Sequence, residues 1–157
     1  MRIPRIYLET SVFNFVFADD APEKRADTLK LFWEIKQGKH QAFTSSYVIA
    51  ELEAARQPKR DKMKDLIAEY DIRILPENPD TERLANAYIA AGIIPSKYAT
   101  DSLHIALASV TGLDAVVSWN FKHIVKMKTI RMAEIVNLQE GYKRILINSP
   151  TEVIEND

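Results

Sequence analysis

Short apolar runs of strand length alternate along this chain with longer segments whose apolar residues recur at helical spacing. Residues 5–9, 41–44, 72–75, 114–118 and 144–147 have the length and the β-branched or aromatic content of strands. Between them the spacing predicts a short helix over 10–18 and a helix over 22–37 with Leu29, Phe32, Trp33 and Ile35 as apolar positions. Further helices are predicted from Ser45 or Ser46 to Ala55, over 59–70, from Asp80 to about Ala91, and from about Ser96 to Gly112. Residues 121–140 read as helical, and residues 142–157 as a last strand and a polar tail. Ser45 or Ser46 suits an N-cap, and the glycines at 38, 92, 112 and 141 suit helix stops. Strands alternating with helices predict an α/β domain whose mostly parallel sheet is covered on both faces.

Four polar residues break this pattern. Glu9 ends the run Ile6-Tyr7-Leu8, and Glu51 sits inside Tyr47-Val48-Ile49-Ala50-Glu51-Leu52. Asp101 opens the run Leu103-His104-Ile105-Ala106-Leu107-Ala108, and Asn120 closes Ala115-Val116-Val117-Ser118-Trp119. A carboxylate near a core costs several kcal/mol unless it is paired or binds a metal. Glu9 and Asn120 fall at strand C-termini, where parallel α/β sheets bind ligands. Glu51 shares a helix face with Val48, Leu52 and Ala55, and Asp101 sits near a helix N-terminus, where the dipole favours negative charge. Each has an ordinary reading alone: a turn residue, a partner for Arg56, a first-turn acid, a cap for a helix starting at Phe121. Together they point to one oxygen-rich metal site.

Composition narrows the field. A length of 157 residues fits one domain, residues 1–157, and 46% hydrophobic with 27% charged residues is an ordinary globular balance. The net charge of −1 supplies no global positive field for a nucleic acid, so any such binding needs a local basic face or a metal. The absence of cysteine excludes thiolate–zinc sites, disulfides and thiol nucleophiles. No apolar run reaches the roughly 20 residues of a membrane span, and no signal-peptide pattern opens the chain, so the expectation is a soluble, cytoplasmic protein. The glycines form no phosphate-binding loop, and the histidines have no triad spacing to a serine. His104 reads as a core or supporting residue, while His40 and His123 are expected on surfaces or loops. Two basic stretches stand out, Arg56-Lys59-Arg60-Lys62-Lys64 and Lys122-His123-Lys126-Lys128-Arg131. Acids dilute the first, and the second follows Asn120 to the rim of the expected site. Phe13, Phe15, Phe17, Phe32 and Trp33 suit core packing or a partner surface.

Four blocks in order, Ile6-Tyr7-Leu8-Glu9-Thr10-Ser11-Val12, Ser45 to Leu52, Thr100 to Ala108 and Val116 to His123, resemble the PIN-domain family of metal-dependent ribonucleases, which includes VapC-like toxins. The resemblance covers about residues 5–130. It implies a three-layer α/β/α sandwich and a magnesium or manganese site made by Glu9, Glu51, Asp101 and Asn120. It implies RNA as substrate, an antitoxin partner and a homodimer. Asp101 and Glu9 would be direct ligands, Glu51 a ligand through water or the general base, and Asn120 a ligand or water positioner. Thr10 and Ser11 would contact the metal's waters or the phosphate, and Lys122, His123 and Lys126 the RNA. The chain departs from the family at Glu9, where Asp is usual. The added methylene matters to a cation that demands near-octahedral oxygens at about 2.1 Å. Two rivals remain: a PIN-like module that binds RNA or protein without cleaving, and a receiver-like doubly wound domain that uses its acids for phosphoryl transfer.

Overall fold

The computed structural model describes residues 2–155. Five strands, β1 (Arg5–Leu8), β2 (Gln41–Ser45), β3 (Arg73–Leu75), β4 (Ala115–Val117) and β5 (Leu146–Asn148), form one sheet in the order β3-β2-β1-β4-β5. Every pairing is parallel, with Tyr7 opposite Phe43 on one side and Val116 on the other. Ile6, Tyr7, Leu8, Val116 and Val117 are all buried, as expected of central strands covered on both faces.

The helices are α1 (Thr10–Phe15), α2 (Pro22–Lys36), α3 (Ser46–Glu53), α4 (Lys59–Glu69), α5 (Pro79–Ala90), α6 (Ala99–Thr111), α7 (Met127–Gln139) and α8 (Pro150–Val153). They pack in two groups, α1 to α4 with α8 and α5 to α7. The chain runs outward from β1 through β2 to β3, then returns to β4 on the other side of β1. Right-handed crossovers then place the two helix groups on opposite faces, giving three layers. The strand order reverses between β1 and β4, so the ligand crevice of this topology lies past the ends of those two strands. Receiver-like domains follow the order 2-1-3-4-5; the order here excludes that rival.

Local chemistry fixes the element ends. Ser45 accepts a hydrogen bond from the Val48 N–H at 3.2 Å and so starts α3. Gly112 ends α6 at φ +75°, a backbone conformation costly for a residue with a Cβ.

Several boundaries differ from expectation. The central helix begins as a 3-10 turn over Ser96–Tyr98, and residues 121–126 form a turn, with α7 starting only at Met127. In α2 the inward face is Thr28, Leu31, Phe32 and Ile35, at positions i, i+3, i+4 and i+7. That register turns Leu29 and Trp33 outward, with Trp33 53% exposed, and buries Glu34. The expected polar tail is ordered as far as it is described: Thr151 Oγ1 donates to Asp27 of α2 at 2.6 Å, and the Glu155 N–H donates to Glu34 Oε2 at 2.9 Å. Residues 156 and 157 of that tail lie outside the described residues.

Candidate metal and active site

Glu9 is the residue after β1, and its backbone N–H still bonds to the Val117 carbonyl of β4 at 3.1 Å. Its side chain folds back over the first turn of α1. Oε1 accepts from the Ser11 N–H at 3.1 Å, Ser11 Oγ at 2.5 Å and Ser118 Oγ at 2.6 Å. The extra methylene is thus absorbed by a fixed curl. Oε2 accepts no hydrogen bond among the described residues, although Glu9 is buried. Ser11 is itself anchored, accepting from the Trp119 N–H at 2.8 Å.

Glu51 comes from α3 and is 38% exposed at its side chain, so it lies at the edge of the inward face rather than within it. Its Oε1 accepts from Thr10 Oγ1 at 2.7 Å and from His104 Nε2 at 2.7 Å. His104 Nδ1 meets Tyr7 Oη at 2.6 Å, and Tyr7 Oη meets Ser45 Oγ at 2.6 Å. A carboxylate only accepts, so Nε2 carries a proton. Tyr7 Oη thus bridges His104 Nδ1 and Ser45 Oγ and braces the imidazole from the side away from Glu51. Thr10 and His104 therefore hold one oxygen of Glu51, with Tyr7 and Ser45 behind His104, and Oε2 accepts no hydrogen bond among the described residues. Burial raises the Glu51 carboxyl, but the hydrogen bonds from His104 and Thr10 outweigh it and hold the group below its usual value.

Asp101, in the first turn of α6, is 15% exposed at its side chain, and its Oδ2 lies 3.1 Å from His123 Nδ1. Burial raises its carboxyl, and the nearby His104 and His123 do not cancel the effect. His123 lies in the turn after β4, one of the surface or loop positions expected for it, yet its side chain is buried, with its ring tilted against Tyr98 at a centroid distance of 4.0 Å. His40 is also largely covered, with Nε2 2.9 Å from Glu34. Asn120 Oδ1 accepts from the His123 N–H at 3.0 Å, so its oxygen caps the turn after β4.

Glu9, Thr10, Ser11, Glu51, Asp101 and Asn120 line one cleft of about 300 Å³, completed by Asn14, Leu52, Ala55 and Met63. No lysine or arginine lines it. One donor atom each from Glu9, Glu51 and His104 falls within 4.8 Å of the others. Three carboxylates, each with an oxygen free of hydrogen bonds among the described residues, line one cleft without a lysine or arginine; Glu9 and Glu51 form the close group with His104, and Asp101 lies outside it. That donor set fits a hard divalent cation such as magnesium or manganese, which oxygen ligands suit.

The PIN-domain model matches residues 6–123. The chain belongs to the PIN-domain family. Among solved structures this PIN domain is similar to the crystal structure of VapC20 from Mycobacterium tuberculosis, a toxin that cleaves the sarcin–ricin loop. The TM-score is 0.54 at 15% identity, over 75% of this chain and 92% of that one. No curated protein sequence matches. No helix among the described residues is long and apolar enough to cross a membrane.

The sequence of this PIN domain points to Glu9, Glu51, Asp101, Asn120, Thr10 and Ser11, all of which line the cleft. Lys122, His123 and Lys126 line a neighbouring groove instead. Sequence reasoning missed Tyr7, Ser45 and Ser118 as supports of the carboxylates and gave His104 no partner. One signal was available: Ser45 and Ser118 are polar residues at strand ends, where a hydroxyl stays buried only if bonded.

Proposed function

We propose that this PIN domain is a divalent-metal-dependent endoribonuclease, the toxin component of a toxin–antitoxin pair, with Glu9, Glu51, Asp101 and Asn120 as its centre. The observation that carries the reading is a cleft past the ends of β1 and β4 lined by three carboxylates and by no lysine or arginine. The fold shared with a toxin that cleaves an RNA loop supports RNA as the substrate class. Asp101, Glu9 Oε2 and Glu51 Oε2 would hold a magnesium or manganese ion. Bound there, such an ion supplies positive charge to a phosphodiester and lowers the pKa of water.

The protein's own part is positioning. Ser11 and Ser118 fix the Glu9 carboxylate, and Thr10 with His104 fixes that of Glu51. Glu51, kept ionised, is suited to accept the proton of an attacking water. Asn120, its Oδ1 taken as a cap, offers its Nδ2 to a phosphate oxygen or a water. An antitoxin partner, a homodimer and a cytoplasmic setting belong to this reading, and the exposed Leu29 and Trp33 of α2 support a covered face there.

Cleavage of a fluorescent single-stranded RNA pool with Mn²⁺, Mg²⁺ or EDTA, in wild type and Asp101→Asn, tests it. Metal-dependent cleavage lost in Asp101→Asn supports the nuclease. A second reading, a module that binds without cleaving, is favoured by the hydrogen bonds that engage Glu9 Oε1 in capping α1. Folded wild type that cleaves no RNA with either metal supports that reading and removes the first.

A further inference from the structure

A second groove, about 460 Å³, opens beside the acidic cleft. It is lined by Lys122, Lys126 and Lys128 with His123, and by the apolar connection Ile93-Ile94-Pro95 after α5. No acid lines it. None of the three lysines forms an ion pair among the described residues, in a chain whose acids outnumber its lysines and arginines by 22 to 21. Lys97 adds a fourth positive charge at the same edge: its Nζ lies 5.8 Å from the Tyr98 ring centroid, and that of Lys122 lies 5.6 Å from it. Lysines gathered without counter-charges repel one another, and a polyanion relieves that repulsion.

The partition between groove and cleft is one side chain. His123 lines the groove, yet its Nδ1 meets Asp101 Oδ2 at 3.1 Å. A strand lying across His123 therefore has one phosphate at the carboxylates and its continuation among lysines. Arg131, the last residue of the same basic stretch, does not line the groove.

We infer that the Lys122–Lys126–Lys128 groove is a backbone-binding site for single-stranded RNA, holding the phosphates that flank the one placed at the acidic cleft. The inference rests on reading that cleft as the reacting centre. The groove contributes affinity through phosphate neutralisation and is indifferent to base identity. Tyr98 packs against His123 at the partition, and its one ring lies beneath both Lys97 and Lys122 and limits where those ammonium groups go.

The test is binding without turnover. Fluorescence anisotropy of a labelled RNA of about 12 nucleotides is followed in EDTA over roughly 50 to 200 mM salt. Wild type is compared with the triple variant Lys122→Ala/Lys126→Ala/Lys128→Ala, and with Lys59→Ala/Lys62→Ala from the other basic stretch as control. The triple variant is expected to bind at least ~10-fold more weakly, with a log–log salt slope reduced by about 2, near 0.7 for each phosphate left without its lysine. The control is expected to stay within about 2-fold of wild type. Equal weakening in control and triple variant, or none in the triple variant, overturns the proposal. So does a glutamate-rich peptide whose binding needs these lysines when RNA binding does not; that outcome makes the groove a site for an acidic protein. The two readings fail separately. Lysine-dependent RNA binding without metal-dependent cleavage supports the groove and sinks the nuclease. Cleavage with undiminished affinity in the triple variant keeps the nuclease and sinks the groove.

Discussion

Two glutamates in this fold each face a histidine, and their free oxygens tell the pairs apart. Glu34, at the end of α2, is 0% exposed; Oε1 meets His40 Nε2 at 2.9 Å and Oε2 accepts the Glu155 N–H at 2.9 Å. Both oxygens are engaged inside the protein, so the pair joins α2, the start of β2 and the end of the described chain. Glu51, which lines the cleft, takes both of its hydrogen bonds on Oε1 and leaves Oε2 without one among the described residues. The same two residue types thus make a closed structural joint in one place and a loaded, outward-facing carboxylate in the other. Burial alone does not separate the two pairs; an unfilled acceptor on a residue lining a water-accessible cleft does.

Substitution should separate the two pairs sharply. Glu51→Gln is expected to lower metal-dependent RNA cleavage by about 10³-fold, roughly 4 kcal/mol of transition-state stabilisation, with the melting temperature nearly unchanged. A decrease below about 10-fold would remove Glu51 from the centre. Glu34→Ala leaves a buried histidine and an amide without their acceptor, and should cost about 3 kcal/mol of stability. In a domain of this size that lowers the melting temperature by roughly 10 °C, read by circular dichroism, while cleavage per folded molecule persists. A variant that melts like wild type would show that the joint bears no load.

Metal should sharpen the contrast. Mn²⁺ at about 100 times its Kd should raise wild-type stability by about 2.7 kcal/mol, because the ion binds only the folded site. Asp101→Asn should lose most of that shift and Glu34→Ala should keep it. Equal shifts in all three would place the ion elsewhere.

The smallest effect belongs to a third carboxylate, at the opposite end of the strands. Partial burial raises the carboxyl of Asp114, but the Arg5 N–H at 2.7 Å and Arg2 outweigh it and hold the group below its ordinary value. Its stabilising effect is therefore full above the unfolded value near 3.9 and disappears as pH falls through the lower folded value. Asp114→Asn should cost about 1 kcal/mol at pH 7 in urea denaturation, and the gap from wild type should narrow as pH falls below the unfolded value. A gap that is constant with pH would rule out the charge as its cause.

Much of the cleft was legible because its residues contradict their surroundings. An acid after Ile6-Tyr7-Leu8, or one opening an apolar helix, is conspicuous in one dimension. The strands were legible from the same contrast. Pairs distant in sequence were not: Tyr7 meets His104 across 97 positions, and Ser118 meets Glu9 across 109. Glu34 was hidden for another reason. Trp33 and Ile35 flank it, and a tryptophan normally marks the inward face; here the face is set by Thr28, Leu31, Phe32 and Ile35, and Trp33 turns outward. His123 was read as a loop residue because it is one, yet its ring is covered by Tyr98 and Asp101.

The Glu9 amide, bonded to the Val117 carbonyl between the two central strands, carries a consequence for time scales. Such a proton has no local route to solvent and should exchange with deuterium only when the whole domain opens. The backbone beneath the acidic cleft would then be among the slowest-exchanging parts of the molecule. Rearrangement needed to admit a ligand would be left to side chains and to α3, whose amides should exchange orders of magnitude sooner.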